Sequence, residues 1–501
     1  MTNCAFDVYR KLCILFTRNI HISDMLECMN ISSVYIYGMG EIGEICCNDL
    51  ENYGNTKILS KYDKKYNLSF DVLNKSNDPI IITPVNYFNE IRDDLIFNGI
   101  DPKRLLSLPQ IFLIYEYLIL SGQNNFSFGN TKEFLIVGAG FDNKGSEAMS
   151  FVTIKELNDR FKDCIIWLVP NTNHDMYKKN SYRMICLDDG FDQGSIYDEI
   201  SPRLTAVIDI SGYALSSERG FGNTERIVKN LKKAYDFNTP YYFMPQSYGP
   251  IDYPKYKIAE LKELFSFARI VYTREAYGNS LLINTLNLNN TKSSCDLVLQ
   301  NKSLVKADVY FHLPKSTNIG KYKIENGVII VPNTNLLRYK SLAELKTIYK
   351  IMIDHLLFIG KQVHIVPHSD DTMLCKDIYL DYTNANNVYL WNELQDSFEF
   401  SDIVKQADFI IGSRYHAIIH SYKCLIPCKA LGWAAKYNEL LSSLNQENYT
   451  IDIRSNFNCC SIKEIITMMD KSRFDEKKVI KKCLSRIQTD NCFDVLNELN
   501  Q

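Results

Sequence analysis

Short apolar runs rich in Val and Ile recur along this chain, each closed by glycine or a polar residue and followed by a stretch of helical period. Val34–Tyr37, Phe134–Val137, Ala206–Ile210, Val328–Val331 and Phe409–Ile411 are such runs. Buried strands alternating with helices predict parallel sheets covered on both faces. On sheets of that kind ligands gather beyond the carboxyl ends of the strands. The residues just past each run are therefore the candidates for a site.

The pattern divides into three modules. In residues 1–122, Val34–Tyr37 leads into Gly38-Met39-Gly40-Glu41-Ile42-Gly43, then a helical stretch, then a second strand-like run ending on Asp63, 20 residues after Gly43. This is the order of a dinucleotide-binding fingerprint, with Asp63 placed for a ribose hydroxyl. The alternative is that Gly38, Gly40 and Gly43 only permit a tight turn and close helix packing. A polar segment, Ser121–Thr131, reads as a linker. Residues 131–305 carry expected strands at Phe134–Val137, Ile165–Val169, Ala206–Ile210, Tyr241–Met244, Arg269–Tyr272 and Leu297–Leu299. Residues 320–455 repeat the pattern at Val328–Val331, Val363–Val366, Val388–Leu390, Phe409–Ile411 and Cys428–Leu431, and residues 456–501 form a charged helical tail. The expected class is α/β: two doubly wound parallel-sheet lobes with a cleft between them, plus a small Rossmann-like N-terminal domain.

The strand end with most chemistry is Gly412-Ser413-Arg414-Tyr415-His416. A strand-to-helix junction there, with Ser413 as N-cap, would aim free N–H groups and a helix dipole at one spot, where anions bind. Arg414 adds a bidentate donor for carboxylate or phosphate, and His416 a group that moves protons near neutral pH. The bland alternative is a surface arginine and a packed histidine. Other strand ends offer Asn143, Lys144 and Glu147, then Asp209 and Ser211, then Gln246, then His368 with Asp370 and Asp371, then Trp433. The polar residues among these either bind a ligand's hydroxyl groups or cap helices and turns, and Trp433 either stacks on a sugar ring or packs under Lys436. His416 and His420 have the spacing of half a zinc site, but no third ligand is evident, so no metal is expected.

Composition excludes several classes. A net charge of -3 supplies no field for nucleic acid. The fifteen cysteines are an odd number, scattered and without CxxC, which indicates buried thiols in a reducing compartment. Arg10, Lys11 and Arg18 interrupt the N-terminal apolar runs, so no signal peptide is expected. The apolar stretch Ile111–Leu120 contains Glu116 and is too short to span a bilayer. A cytoplasmic protein is expected, with peripheral association at the inner face of the membrane left open.

Four motifs occur in a telling order: Gly138-Ala139-Gly140-Phe141-x-Asn143-x-Gly145-x-Glu147-Ala148, Asp209-x-Ser211-Gly212, Pro245-Gln246-x-x-Gly249-Pro250 and Gly412-Ser413-Arg414-Tyr415-His416-Ala417. Together with Trp433-x-x-Lys436-Tyr437, they resemble the polysaccharide pyruvyl transferase family over about residues 131–445. The resemblance implies GT-B-like lobes and transfer from phosphoenolpyruvate to sugar hydroxyls, forming a pyruvate ketal on a surface polysaccharide or its precursor. It implies a donor site of Arg274, Ser413, Arg414 and His416, a glycan, lipid-linked or nucleotide-linked sugar as acceptor, and no required cofactor. The N-terminal module lies outside the resemblance; a nucleotide there stays open. The competing readings are a GT-B glycosyltransferase using a nucleotide sugar, a non-catalytic capsule-assembly protein, and a dehydrogenase built on the N-terminal fingerprint.

Overall fold

A computed structural model describes residues 4–63, 70–141, 143–170, 181–187, 193–213, 215–314, 323–391, 394, 396–432, 435–454 and 459–500. Its described strands fall into three parallel sheets. The N-terminal sheet contains β1 (Ser33–Tyr37), β2 (Lys57–Tyr62), β3 (Ile80–Ile82) and β4 (Leu105–Ser107) in the order β2-β1-β3-β4. The first lobe holds β5 (Glu133–Ala139), β6 (Ile165–Pro170), β7 (Ile185–Cys186), β8 (Ala206–Asp209), β9 (Tyr241–Gln246), β10 (Ile270–Thr273) and β11 (Thr291–Ser293), ordered β11-β10-β9-β8-β5-β6-β7. The second lobe holds β12 (Gly327–Val331), β13 (Gln362–Ile365), β14 (Val388–Leu390), β15 (Phe409–Gly412), β16 (Cys428–Gly432) and β17 (Thr450–Asp452), ordered β14-β13-β12-β15-β16-β17. Every residue of β5, β9 and β12 is buried, as a sheet covered on both faces requires. Two doubly wound lobes face each other, which is the GT-B-like architecture.

One expected strand is wrong. Leu297–Gln300 is a short helix, capped by Asp296, whose carboxylate accepts the Val298 N–H at 2.9 Å. An apolar run buried on all sides carries no periodicity to separate strand from helix. The edge strand here is the polar β11 instead, just upstream.

The lobes are joined by more than a linker. One apolar cluster runs from Phe134 and Ile208 of the first lobe to Ile329 and Ile410 of the second. Phe151 stacks on Phe398 with ring centroids 5.3 Å apart. The long helix Cys459–Ile487 packs on the second-lobe helix Leu342–Phe358. The chain then returns to the first lobe, where Asp494 pairs with Arg160 at 2.7 Å and Glu498 accepts from the Tyr242 hydroxyl. The tail is a strap across both lobes.

The N-terminal module has a small core of its own on one face of its sheet, around Tyr35, Ile80, Ile82, Phe88 and Leu95, but shares the core on the other face. A second apolar cluster runs from Val34 and Ile36, through Ile111, Phe112 and Ile114 of the helix Leu108–Ser121, to Leu135, Val137 and Trp167 of the first lobe. A buried polar network accompanies it. Arg203 donates to Glu133 at 3.0 Å and to Gln110 at 2.6 Å, and Gln110 donates to Glu199 at 2.9 Å.

In the glycine turn, Gly38 has φ +99°, and a Cβ on Gly43 would lie 1.9 Å from the Gly38 carbonyl oxygen, whereas one on Gly40 would meet open space. Asp63 accepts the Met39 N–H at 3.0 Å, so its carboxylate secures the turn itself.

Removing residues 1–130 would uncover several fully buried large side chains, each worth roughly 1.5–3 kcal/mol. Together they rival a typical domain stability of about 5–15 kcal/mol. A chain starting at Thr131 is therefore expected to lose its cooperative thermal transition. A truncated chain that melts cooperatively near the full-length temperature would show the module to be dispensable for folding.

Candidate active site

The carboxyl ends of both large sheets meet at a cavity of about 450 Å³. Its walls include Asn143, Ser211 and Arg274 from the first lobe and His368, Arg414, Tyr415 and His416 from the second. Arg219, Arg226 and Lys436 also line it, as do Asn333 and Asn335, and no carboxylate is among the described lining residues.

His416 sits in the first turn of the helix Tyr415–Lys423. Arg414, not Ser413, is the N-cap of that helix, and no side chain caps it. Ser413 instead continues the strand pairing, with its N–H on the Val331 carbonyl at 3.1 Å and its hydroxyl 3.1 Å from that of Tyr349. It is fully buried and is not among the residues lining the cavity. The uncapped first-turn N–H groups leave this helix end favourable for an anion. Gly145 of the facing lobe lies against the His416 ring: a Cβ there would come within 2.2 Å of His416 Cγ. Only glycine permits this approach.

Asp296 connects the two lobes chemically. Its Oδ2 is 2.9 Å from Arg274 Nη2 and 3.5 Å from His416 Nε2. Burial opposes ionisation of Asp296, but Arg274, His416 and the Val298 N–H outweigh it and hold the carboxyl well below its usual range. Burial pushes the His416 pKa down despite Asp296, so the ring is neutral at pH 7. With Nε2 facing a carboxylate, the stable tautomer carries its proton there and leaves the Nδ1 lone pair for chemistry.

Arg414 is gripped as well. Its Nε meets Asp371 at 2.7 Å, and its Nη2 meets Asp371, Asp370 and Thr334 at 2.5, 2.6 and 3.2 Å. Both expected donor arginines thus reach one cavity with part of each guanidinium already on a carboxylate. Asp370 and Asp371 orient Arg414; Asp371, at the N-cap of Thr372–Tyr379, makes no capping bond. By contrast, Arg219 and Arg226 have no carboxylate partner among the described residues, and Arg226 Nε is buried without any partner. Burial, with Arg219, Arg274 and Arg414 nearby, pushes the Lys436 amine well down against the pull of Glu275. The site holds more positive charge than it neutralises.

Several expected acceptor residues lie elsewhere. Glu147 is fully buried at the lobe interface, accepting the Ser397 N–H at 2.5 Å with Lys144 Nζ 3.7 Å away. Neither Glu147 nor Lys144 is among the cavity's lining residues. Asp209 is buried behind the wall, bound to Tyr241 at 2.6 Å, to Gln246 at 3.0 Å and to the Ser211 N–H at 2.8 Å, which also accounts for Gln246. Asn143 lines the cavity while capping its own helix through the Gly145 N–H at 2.8 Å. His368 lines it with both ring nitrogens unpartnered, and burial drives its pKa far down. Trp433 lies outside the described residues. His420 bonds Ser401 at 2.9 Å, and among the described residues no cluster of three or more His, Cys, Asp or Glu is placed to hold a metal.

Residues 143–434, more than half of the chain, match the polysaccharide pyruvyl transferase family. The chain belongs to this family. No curated protein matches it. Among solved structures, it is similar to the UDP-GlcNAc 2-epimerase from Methanocaldococcus jannaschii at 12% identity, over 68% of this chain and 92% of that one, with a TM-score of 0.47. The UDP-GlcNAc 2-epimerase from Neisseria meningitidis is similar at 11% identity, over 74% and 100%, with a TM-score of 0.47. The spinosyn forosaminyltransferase SpnP is similar at 9% identity, over 74% and 98%, with a TM-score of 0.44. In this pyruvyl transferase-family chain no helix among the described residues is long and apolar enough to cross a membrane.

Burial raises the Glu147 carboxyl to about 7 against the pull of Lys144. The folded state therefore prefers the acid form. The stability this preference contributes is complete below the unfolded value, near 4.5, and is lost as pH rises through about 7. Glu147→Gln keeps an acceptor for the Ser397 N–H and cannot ionise. The stability of wild type relative to this variant should fall between those pH values by on the order of 3 kcal/mol, read from denaturant melts. Parallel pH profiles for the two proteins would show that the carboxyl is not raised.

Proposed function

We propose that the cavity binds phosphoenolpyruvate and that the protein transfers its pyruvyl unit to two hydroxyls of one sugar on a polysaccharide or its precursor. The observation that carries this reading is the convergence of Arg219, Arg226, Arg274, Arg414 and Lys436 on one cavity with a neutral histidine at its centre. Phosphoenolpyruvate presents a carboxylate and a phosphate, so it needs several cations held apart. Arg274 and Arg414, oriented by Asp296 and Asp371, offer their remaining guanidinium N–H groups to an anion. Arg219, Arg226 and Lys436 add charge for the departing phosphate, as does the uncapped helix end at Tyr415.

The chemistry has two steps. A proton adds to C3 of the enol, C2 becomes electrophilic, and a first sugar hydroxyl joins C2 as it loses its proton. A second hydroxyl of the same sugar then replaces phosphate at C2, closing the ketal and releasing inorganic phosphate. His416 is the base we assign to hydroxyl deprotonation, with Nδ1 accepting and Asp296 stabilising the imidazolium through Nε2. His368, also neutral at the cavity wall, is the second proton carrier to examine.

Incubating the protein with phosphoenolpyruvate and a panel of lipid-linked and nucleotide-linked sugars should release phosphate and give an acceptor bearing a carboxyethylidene group by mass spectrometry. Turnover of a nucleotide sugar without phosphoenolpyruvate would indicate a glycosyltransferase instead, and no turnover of either a non-catalytic protein.

His416→Asn should lower kcat by roughly 10²–10⁴ with little change in donor affinity. Because the base must be neutral and burial depresses its pKa, wild-type kcat should be flat near pH 7 and fall only on acidification below the ordinary imidazole range. Asp296→Asn removes the group that favours the imidazolium, so this acidic limb should move to lower pH while kcat falls. An unmoved limb would separate Asp296 from the proton transfer.

Arg226→Met should weaken phosphoenolpyruvate binding by about tenfold or more, the scale of one lost charge-assisted bond. Calorimetry at two salt concentrations checks this. Unchanged affinity would assign Arg226 to the wall alone.

A further inference from the structure

A second cavity, about 290 Å³, adjoins the cationic one, and Tyr213 and Lys436 line both. Its remaining walls are of different character. Tyr248, Tyr277 and Tyr339 contribute rings, and Glu218, Glu275 and Glu439 contribute carboxylates, while Arg454, the other cation lining it besides Lys436, is paired with Asp452 at 2.6 Å. Tyr277 and Tyr339 are 49% and 40% exposed, so two rings stand at the mouth. Tyr248 is buried and forms part of the inner wall.

The carboxylates are set in place without being used up. Glu275 accepts from Ser247 Oγ at 2.7 Å through Oε1, and Glu439 accepts the Ala276 N–H at 2.7 Å through Oε2. In each case the other oxygen has no hydrogen bond among the described residues. Oriented acceptors beside aromatic rings match a molecule with hydroxyl donors and an apolar C–H face. The carboxylates disfavour a phosphorylated ligand, which the neighbouring cavity suits. The volume is near the lower end for small-molecule sites, fitting one sugar ring and not a nucleotide sugar.

We infer that this cavity is the acceptor subsite: it holds one uncharged pyranose ring, with the reacting hydroxyls directed toward Tyr213 and Lys436, where the two cavities join. Calling the ring an acceptor rests on the pyruvyl-transfer reading; the binding of a sugar there does not. The separation has a simple electrostatic logic. The anionic donor and the neutral acceptor each meet walls of suitable charge, and their reacting ends meet at the shared boundary.

The test uses the full chain and methyl glycosides of galactose, glucose, mannose and N-acetylglucosamine, with binding read by saturation-transfer NMR and phosphoenolpyruvate binding read separately by calorimetry. At least one glycoside should bind. Tyr277→Ala should weaken that binding by about tenfold, the loss of one ring contact, while Tyr277→Phe retains it and phosphoenolpyruvate affinity is unchanged in both. Absence of binding by all four glycosides would overturn the assignment, and so would glycoside binding that ignores Tyr277→Ala. Glycoside binding that responds to Tyr277 with no phosphoenolpyruvate binding would keep the sugar site and reject the donor reading.

Discussion

The buried carboxylate of Asp296 is the interaction on which the cavity depends. It follows the last strand of the first lobe, yet it faces His416 of the second and Arg274 of its own. A carboxylate with no exposure would be costly if unpaired. Here a guanidinium at 2.9 Å and a backbone N–H hold it, with the His416 ring 3.5 Å away, and together they keep it ionised. Removing it would strand Arg274 as a buried cation and release the histidine. The one charge therefore sets the histidine tautomer, orients an arginine and ties the two lobes at the cavity.

Around that pairing the charges are unequal by arrangement. Arg274 and Arg414 are neutralised by carboxylates behind the wall, which fixes their direction. Among the described residues Arg219 and Arg226 carry no such partner, and Lys436 has its charge disfavoured by burial and by its neighbours. Like charges held this close raise the energy of the empty site, and an anion relieves it. A ligand with two separated negative groups gains most.

Much of this was legible in the sequence, for identifiable reasons. Val388–Leu390 has the expected boundaries, its start set by Asn386 and Asn387. The glycines and the Arg414–His416 junction were readable because a strand-to-helix turn has a local signature. Asp296 was not, since the buried run Leu297–Leu299 looked like a strand and hid the capping role of the residue before it. Glu147 and Asp209 stood at strand ends yet turned inward, because nothing in a local pattern tells which side of a turn faces the cleft. Arg219 and Arg226 lie in a stretch with no motif, and their convergence is a product of tertiary structure alone.

The packing explains why such a site can work without assembling itself. The lobes share an apolar core, the C-terminal strap returns to Arg160 and Tyr242, and the N-terminal module is continuous with the first lobe's core. Gly145 and His416 touch across the interface with no room for a Cβ. Cations that repel one another must be held by packing elsewhere, and here that packing spans all three sheets. Electrostatic stabilisation of a transition state is most effective when dipoles and charges are already in place. The extensive shared core supplies that preorganisation, and its cost falls on parts of the chain far from the reacting atoms.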